Sequence, residues 1–197
     1  MKQVGLHCEV KSPDADETPR RGESPAKLVA RLAREKAQSV ARKSKPSKTA
    51  NTLIIAADTI VVDPSGKAIL NKPRNTAEAR KMLKMLAGKT HTVLTGYCVY
   101  EIDKATTKAP SGRAVHHHMV RVVNSKVTMR KLSPKQIAAY VATGEPMDKA
   151  GAYAAQGIGM AFIEKLNGSY TNVVGLPMSQ LLSDLETHFG VRVLASK

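Results

Sequence analysis

Along this chain apolar and polar residues alternate, run together or recur every three to four positions, and each pattern predicts an element. From Val4 to Val10, Leu6, Cys8 and Val10 stand against His7 and Glu9 with the period of two of a half-buried strand. Ser24-Pro25 offers an N-cap with proline at the first helical position, and Val29, Leu32, Lys36 and Val40 then share one stripe, predicting a helix from Pro25 to Ala41. Thr52 to Val62 reads TLIIAADTIVV, a nearly unbroken apolar run of the kind that forms a strand buried on both faces. A turn at Asp63-Pro64-Ser65-Gly66 leads to a short returning strand at Ala68 to Leu70.

Asn75 or Thr76 caps the next helix, whose stripe is Ala79, Met82, Leu83 and Leu86 and whose end is Gly88. Thr90 to Asp103 alternates as a strand, Lys104 to Gly112 is a polar loop, Ala114 to Val123 is a further strand, and Val127 to Leu132 continues the sheet. Ser133-Pro134-Lys135-Gln136 has capping-box spacing and opens a helix carrying Ile137, Tyr140 and Val141, which Gly144 terminates. Ile158 to Leu166 reads as a strand, Asn167-Gly168 as a hairpin turn, and Asn172 to Val174 as the returning strand. A last helix starts at Pro177 with Met178, Leu181, Leu182 and Leu185 inward, ends before Gly190, and leaves Val191 to Leu194 as an edge strand. This mixed order without internal repeats predicts an α/β fold, a long twisted mixed sheet with flanking helices.

Composition narrows the function. The 197 residues suit one domain, with or without two lobes, and the segment 42–51, which begins RKSKPSK, reads as a basic linker loop. A net charge of +15 favours polyanions, whether nucleic acid, an anionic surface or a phosphate-bearing small molecule. Aromatic residues are 4% of the chain and none interleaves with the basic clusters, so a nucleic-acid partner is not expected. No apolar run approaches the roughly 20 residues of a membrane span and no signal-peptide pattern opens the chain, which predicts a cytoplasmic protein without a membrane partner. Cys8 and Cys98 lie too far apart for a zinc motif or a disulfide framework.

Several residues break their local pattern. Asp58 interrupts the apolar run, where a carboxylate is costly unless it meets a cation, a metal or hydrogen-bond donors. Thr59 beside it points the other way, or toward the same mouth if the strand ends in a bulge. Lys36 sits on the apolar stripe of its helix and either snorkels to the edge or enters a cleft that holds phosphate. Lys72 precedes Pro73, whose ring biases it to an extended backbone that presents the side chain from a fixed loop. Asp14, Asp16 and Glu17 form an acidic turn, solvated or reaching a metal or water. His116-His117-His118 cannot converge on one metal if it lies on a strand, because neighbours face opposite ways. The stretch Glu145 to Pro177 carries Gly151, Gly157, Gly159, Gly168 and Gly175, either as a glycine-rich connector or to let backbone approach a ligand.

Four stretches, ADETPRRGESPAKLVARLAREKA, AADTIVV, LNKPRNTAEARKMLKMLAGKTHTVLTG and EPMDKAGAYAAQGIGMAFIEKLNGSYTNVVGLP, resemble in order the motifs of the Maf family of nucleoside triphosphate pyrophosphatases, also called septum-formation proteins. The resemblance implies a Maf/inosine-triphosphatase-like fold, with residues 1–197 as a single domain whose two lobes flank a cleft. It implies hydrolysis of a nucleotide to the monophosphate and pyrophosphate, with Mg²⁺ or Mn²⁺ as cofactor, and a homodimer. AGAYAAQG followed by NGSYTNVVGLP resembles the branch acting on dTTP and UTP, which implies those substrates and leaves CTP or modified pyrimidine nucleotides open beside them. By motif, Asp58 corresponds to the proton acceptor and Thr59 and Gln156 to positions that influence base selection. Lys36, Lys72 and Lys149 match lysines of the family cleft, Glu145 and Asp148 match acidic positions on the substrate side, and Glu17 matches the acidic position toward the metal. Family members usually begin with a strand and a serine-containing loop ending in Pro-Arg-Arg; Pro19-Arg20-Arg21 follows the acidic turn and is not that loop, so the family's first strand and helix are expected to be missing here. The alternative is a catalytically impaired protein of this fold that binds nucleotides or nucleic acid.

Overall fold

The computed structural model describes residues 1, 4–45, 47–104 and 117–192. Helix α1, Pro25–Lys43, begins where Ser24 Oγ accepts the Lys27 amide and Pro25 fills the first position, and it runs two residues past Ala41 into the basic segment. Strand β1 is Thr52–Val62 and β2 is Ile69–Leu70. Helix α2, Thr76–Leu86, is capped by Asn75, and all four residues of its predicted stripe are buried. Strands β3, Thr90–Ile102, and β4, His118–Met129, are the longest of the sheet. Helix α3, Pro134–Ala142, has the predicted capping box. Strand β5 is Ile163–Asn167, helix α4 is Tyr170–Val174 and helix α5 is Met178–Phe189, closed by Gly190 in the left-handed conformation.

The strands form one sheet of order β2-β1-β3-β4-β5, in which every pairing is antiparallel where a mixed sheet is expected from the order of elements. Alternation along the strands divides the side chains between two layers. Ile54, Ala56, Ile60 and Val62 of β1 face α1 together with Leu94, Cys98, Tyr100 and Ile102 of β3, packing on Leu28, Val29, Leu32, Ala33 and Ala37. The opposite face has two parts. Val61, Val93, Val127 and Met129 join α2 and α3, while Tyr97 and Val99 meet Leu181 and Leu185 of α5. The buried Tyr97 hydroxyl donates to Asp184, whose other oxygen meets Arg121 at 2.7 Å. Burial and the Asp184 carboxylate together push the Tyr97 phenol well above its usual range.

Five expectations are corrected. The segment Val4–Val10 is a turn at Gly5 followed by irregular chain, with Val10 92% exposed, because alternation alone supplies no neighbouring strand to pair with. Residues Ile158–Phe162 form a 3₁₀ helix and only Ile163–Asn167 is strand, since the Glu145 carboxylate captures the amides of Ile158 and Gly159. No hairpin forms at Asn167-Gly168; Ser125 Oγ accepts the Ser169 amide, Ser169 caps α4, and Asn172 to Val174 are helical. Residues 118–123 of the one expected stretch and 127–129 of the other belong to the single strand β4, which β5 follows with a register shift at Thr128/Met129. His118 opens β4, while His116, residues 105–112 of the polar loop and residues 193–194 of the expected edge strand lie outside the described residues; Val191 and Arg192 are not strand. Strand β1 is fully buried only at Ile60, Val61 and Val62, because β2 covers one edge at Val61 and Val62 alone.

Helix α1 lies unusually close to β3. A Cβ placed on Gly96 would stand 2.4 Å from the Val29 carbonyl oxygen and 2.9 Å from the Ala30 nitrogen, both backbone atoms that cannot rotate aside. Replacing Gly96 by alanine is therefore expected to lever the helix off the sheet and lower stability by about 1–3 kcal/mol or more. Urea unfolding monitored by circular dichroism checks this as a lower midpoint at unchanged slope.

Candidate functional site

Asp58 lies opposite Gly96 in the β1–β3 register, on the face that α1 covers. Lys36 sits one turn beyond Leu32 on that helix, and a helical side chain leans back toward the N-terminus, which brings its ammonium over the strand. Its Nζ donates to Asp58 Oδ1 at 2.7 Å and meets Glu17 Oε1 at 2.6 Å. Lys36 and Asp58 are nearly enclosed, with side chains 14% and 11% exposed, whereas Glu17 is 62% exposed. Burial pulls the Lys36 ammonium down, but the bonds to Asp58 and Glu17 outweigh it, and the group is held above its usual range as a permanent cation.

Glu17 hangs from a loop that α1 also holds. Arg31, 7% exposed, binds the Glu23 carboxylate at 2.7 and 2.9 Å and Glu35 at 2.9 Å, and donates to the carbonyls of Asp16 and Thr18 on either side of Glu17. The Arg31 bond to Glu23 holds that carboxyl down at about 2. The i,i+4 spacing of Arg31 and Glu35 was legible in the sequence; the reach from Arg31 to the loop was not.

Lys36, Asp58 and Glu17 line a cleft of about 640 Å³ together with Thr59, Lys72, Asp148, Lys149 and Gln156. The cleft wraps the free edge of β1. Asp58 enters from the α1 face, while Thr59 stands on the other face, where its hydroxyl lies 2.8 Å from that of Thr95 in β3. Strand alternation accounts for the pair: adjacent residues on an uncovered edge reach one cleft from opposite sides without a bulge. On the Thr59 side the wall is Tyr153 to Gln156 and Val173 to Gly175. The Tyr170 hydroxyl reaches the Ala155 carbonyl at 3.3 Å beside Gln156.

The remaining predicted residues divide. Lys72 is exposed on its pre-proline loop, and Lys149 donates to Asp148 at 2.7 Å, a bond that with the lysine charge holds the Asp148 carboxyl down. Glu145 does not line the cleft. Its carboxylate accepts from the Tyr140 hydroxyl at 2.7 Å and from the amides of Ile158 and Gly159 at 2.8 and 2.9 Å; burial alone would raise this carboxyl, and the backbone bonds more than offset that. Gly157 and Gly159 follow from the same clamp, because a Cβ there would meet the Glu145 carboxylate at 2.5 Å and the Tyr140 hydroxyl at 2.6 Å. These two glycines admit protein atoms, not a ligand.

Among the described residues no group of three or more histidine, cysteine, aspartate or glutamate side chains is placed to hold a metal ion. Two carboxylates, Glu17 and Asp58, converge on the Lys36 ammonium, and two carboxylates beside it are a number that Mg²⁺ takes from protein when phosphates and water supply its other oxygens. The donor set fits such an ion.

A family model described as Maf-like protein matches residues 1–188. The chain belongs to the Maf family. A dTTP/UTP pyrophosphatase of Geobacter metallireducens is 42% identical to it over 187 residues, which cover 95% of this chain and 88% of the relative. A dTTP/UTP pyrophosphatase of Pelotomaculum thermopropionicum is 44% identical over 194 residues, covering 98% and 92%. The α/β architecture read from the order of elements is thus that of a Maf protein, and no described helix is long and apolar enough to cross a membrane.

The back wall of the cleft holds a group that pattern reading missed. His91, 1% exposed on β3, bonds through Nε2 to the hydroxyl of cleft residue Tyr153 at 2.8 Å, and burial pulls its pKa down to about 4. The folded protein therefore keeps His91 neutral where the unfolded chain takes up a proton, so this stability is present above the unfolded value near 6.5 and is lost as pH falls toward 4. Between pH 7.5 and 5 the loss is expected to be about 2 kcal/mol, and His91→Gln should flatten it. Urea unfolding at the two pH values checks both.

Proposed function

We propose that this Maf protein is a nucleotide pyrophosphatase that hydrolyses dTTP and UTP to the monophosphate and pyrophosphate. The observation that carries the reading is the Lys36 ammonium gripped between Asp58 and Glu17 inside a cleft that also receives Lys72 and Lys149. The naming of relatives at 42% and 44% identity over nearly the whole chain supports the same substrates.

In this reading the two faces of β1 divide the work. On the α1 face, Asp58 accepts the proton of the attacking water as the new P–O bond forms and the bridging oxygen departs with pyrophosphate. Lys36, Lys72 and Lys149 neutralise the phosphate oxygens as negative charge gathers on the leaving group. Lys36 also fixes the Asp58 carboxylate by a 2.7 Å bond, so the base is oriented before the substrate arrives. Glu17 and Asp58 would hold a Mg²⁺ or Mn²⁺ ion, which when bound supplies further positive charge against the phosphates. On the other face, Thr59 and Gln156 meet the base, Gln156 with both a donor and an acceptor. Asp148 keeps the Lys149 ammonium at the cleft wall, and Glu145 keeps the loop after Gln156 in shape.

Asp58→Asn is expected to lower pyrophosphate release from dTTP and UTP by roughly 10²- to 10⁴-fold while the circular dichroism spectrum stays unchanged. Assays of monophosphate and pyrophosphate with Mg²⁺ or Mn²⁺ decide the matter. Near-full activity of the variant would remove Asp58 from the role of base.

A further inference from the structure

The hydroxyls of Thr59 and Thr95 stand 2.8 Å apart, and either could donate to the other if the pair were isolated. It is not isolated. Thr95 Oγ1 also lies 2.9 Å from the backbone carbonyl oxygen of Asn172, which has no hydrogen to give, so Thr95 must donate there. A hydroxyl has one hydrogen. Thr95, fully buried, therefore has only lone pairs left for Thr59, and Thr59 must spend its own hydrogen on Thr95.

The carbonyl that sets this direction cannot drift. Asn172 is fully buried, and its Nδ2 donates to the Val93 carbonyl at 3.2 Å and to Ser125 Oγ at 2.9 Å. Ser125 in turn donates to the Ser169 carbonyl at 3.1 Å and accepts the Ser169 amide at 3.0 Å, which fastens both the cap and the body of α4 to the sheet. Polarity is thus transmitted from the backbone of a short helix through Thr95 to a hydroxyl on the cleft wall.

Resting on the proposed function, we infer that Thr95 is a positioning residue for base selection: it makes Thr59 an obligatory hydrogen-bond acceptor, so that the cleft takes a pyrimidine whose ring N3 carries a hydrogen and rejects one whose N3 carries a lone pair. Uracil and thymine have that N3–H. Cytosine presents a lone pair at N3, which would face the lone pairs of Thr59. An acceptor left facing an acceptor in a partly dried cleft is penalised more than a missing bond, which is why such a site discriminates.

The test measures binding by calorimetry with the α,β-methylene analogues of UTP and CTP, whose bridge is not hydrolysed. The wild-type chain should bind the uridine analogue at least about tenfold more tightly. Thr59→Val removes the acceptor but leaves the Thr95 bond to Asn172, and should weaken the uridine analogue until the two affinities nearly meet. Thr95→Val frees the Thr59 hydrogen to point into the cleft, and should instead strengthen the cytidine analogue and so narrow the ratio from the other side; Thr95→Ser, which keeps the donor, should restore it. A wild-type ratio near one overturns the inference, and so does an inverted ratio, which is expected if Thr59 met the exocyclic C4 group, a donor in cytosine and an acceptor in uracil. So does a Thr95→Val variant that weakens both analogues equally, which marks a purely structural role. If Thr95→Val does not fold, Thr95→Ala is read in its place by the same outcomes, and an unchanged ratio in Thr59→Val overturns the inference. Because these analogues report binding without turnover, an absence of pyrophosphate release from UTP would count against the proposed function and leave this ratio to be read by itself.

Discussion

Helix α1 can rest on the sheet only because position 96 lacks a side chain, and most of the cleft follows from that contact. The carbonyl of Val29 occupies the space of the absent Cβ, so the helix backbone sits almost on β3 directly across from Asp58. At that height Lys36 reaches the strand and sets its ammonium on the carboxylate. A higher helix would leave Asp58 in a dry groove without a cation, a state that strongly penalises a buried carboxylate. The same helix carries Arg31, which holds the loop of Glu17, so the third member of the triad depends on the same seat.

The second constraint is the short β2. Because it pairs with β1 at Val61 and Val62 alone, the strand is open just where Asp58 and Thr59 project to opposite faces. A fully paired strand would have put the two residues in separate compartments. The open edge joins them into one cleft, with a charged side beneath α1 and a hydrogen-bonding side beneath α4. The second side rests on the buried chain of Thr95, Asn172 and Ser125, in which each hydroxyl has its direction assigned by a backbone carbonyl or amide.

The stretch from Glu145 to Pro177 changes meaning in this setting. Its density of glycine looks like an approach to a ligand, yet Gly157 and Gly159 make room for the Glu145 carboxylate and the Tyr140 hydroxyl. The clamp also turns a predicted strand into a 3₁₀ helix, since two amides that a ladder would use are taken by one carboxylate. What the clamp delivers to the cleft is the segment Tyr153 to Gln156 in a fixed place.

Taken alone, the amino-acid sequence determined helices α1, α2, α3 and α5, whose caps and stripes are local, and the long strands β1 and β3. It also exposed Asp58 and Lys36 as misfits, because a charge in an apolar pattern is visible without a partner in view. Tertiary structure decided what the misfits are for. Pairing of Lys36 with Asp58 across 22 positions, the convergence of Glu17, and the direction of the Thr59 hydroxyl all depend on contacts between distant segments. The failed expectations have the same cause: alternation at Val4–Val10 and the Asn167-Gly168 pair are local signals, and each gave way where the neighbouring strand was missing or where Ser125 and Glu145 offered the backbone other partners. A periodic pattern records which face of an element is apolar; only the packed chain determines which polar groups meet across it.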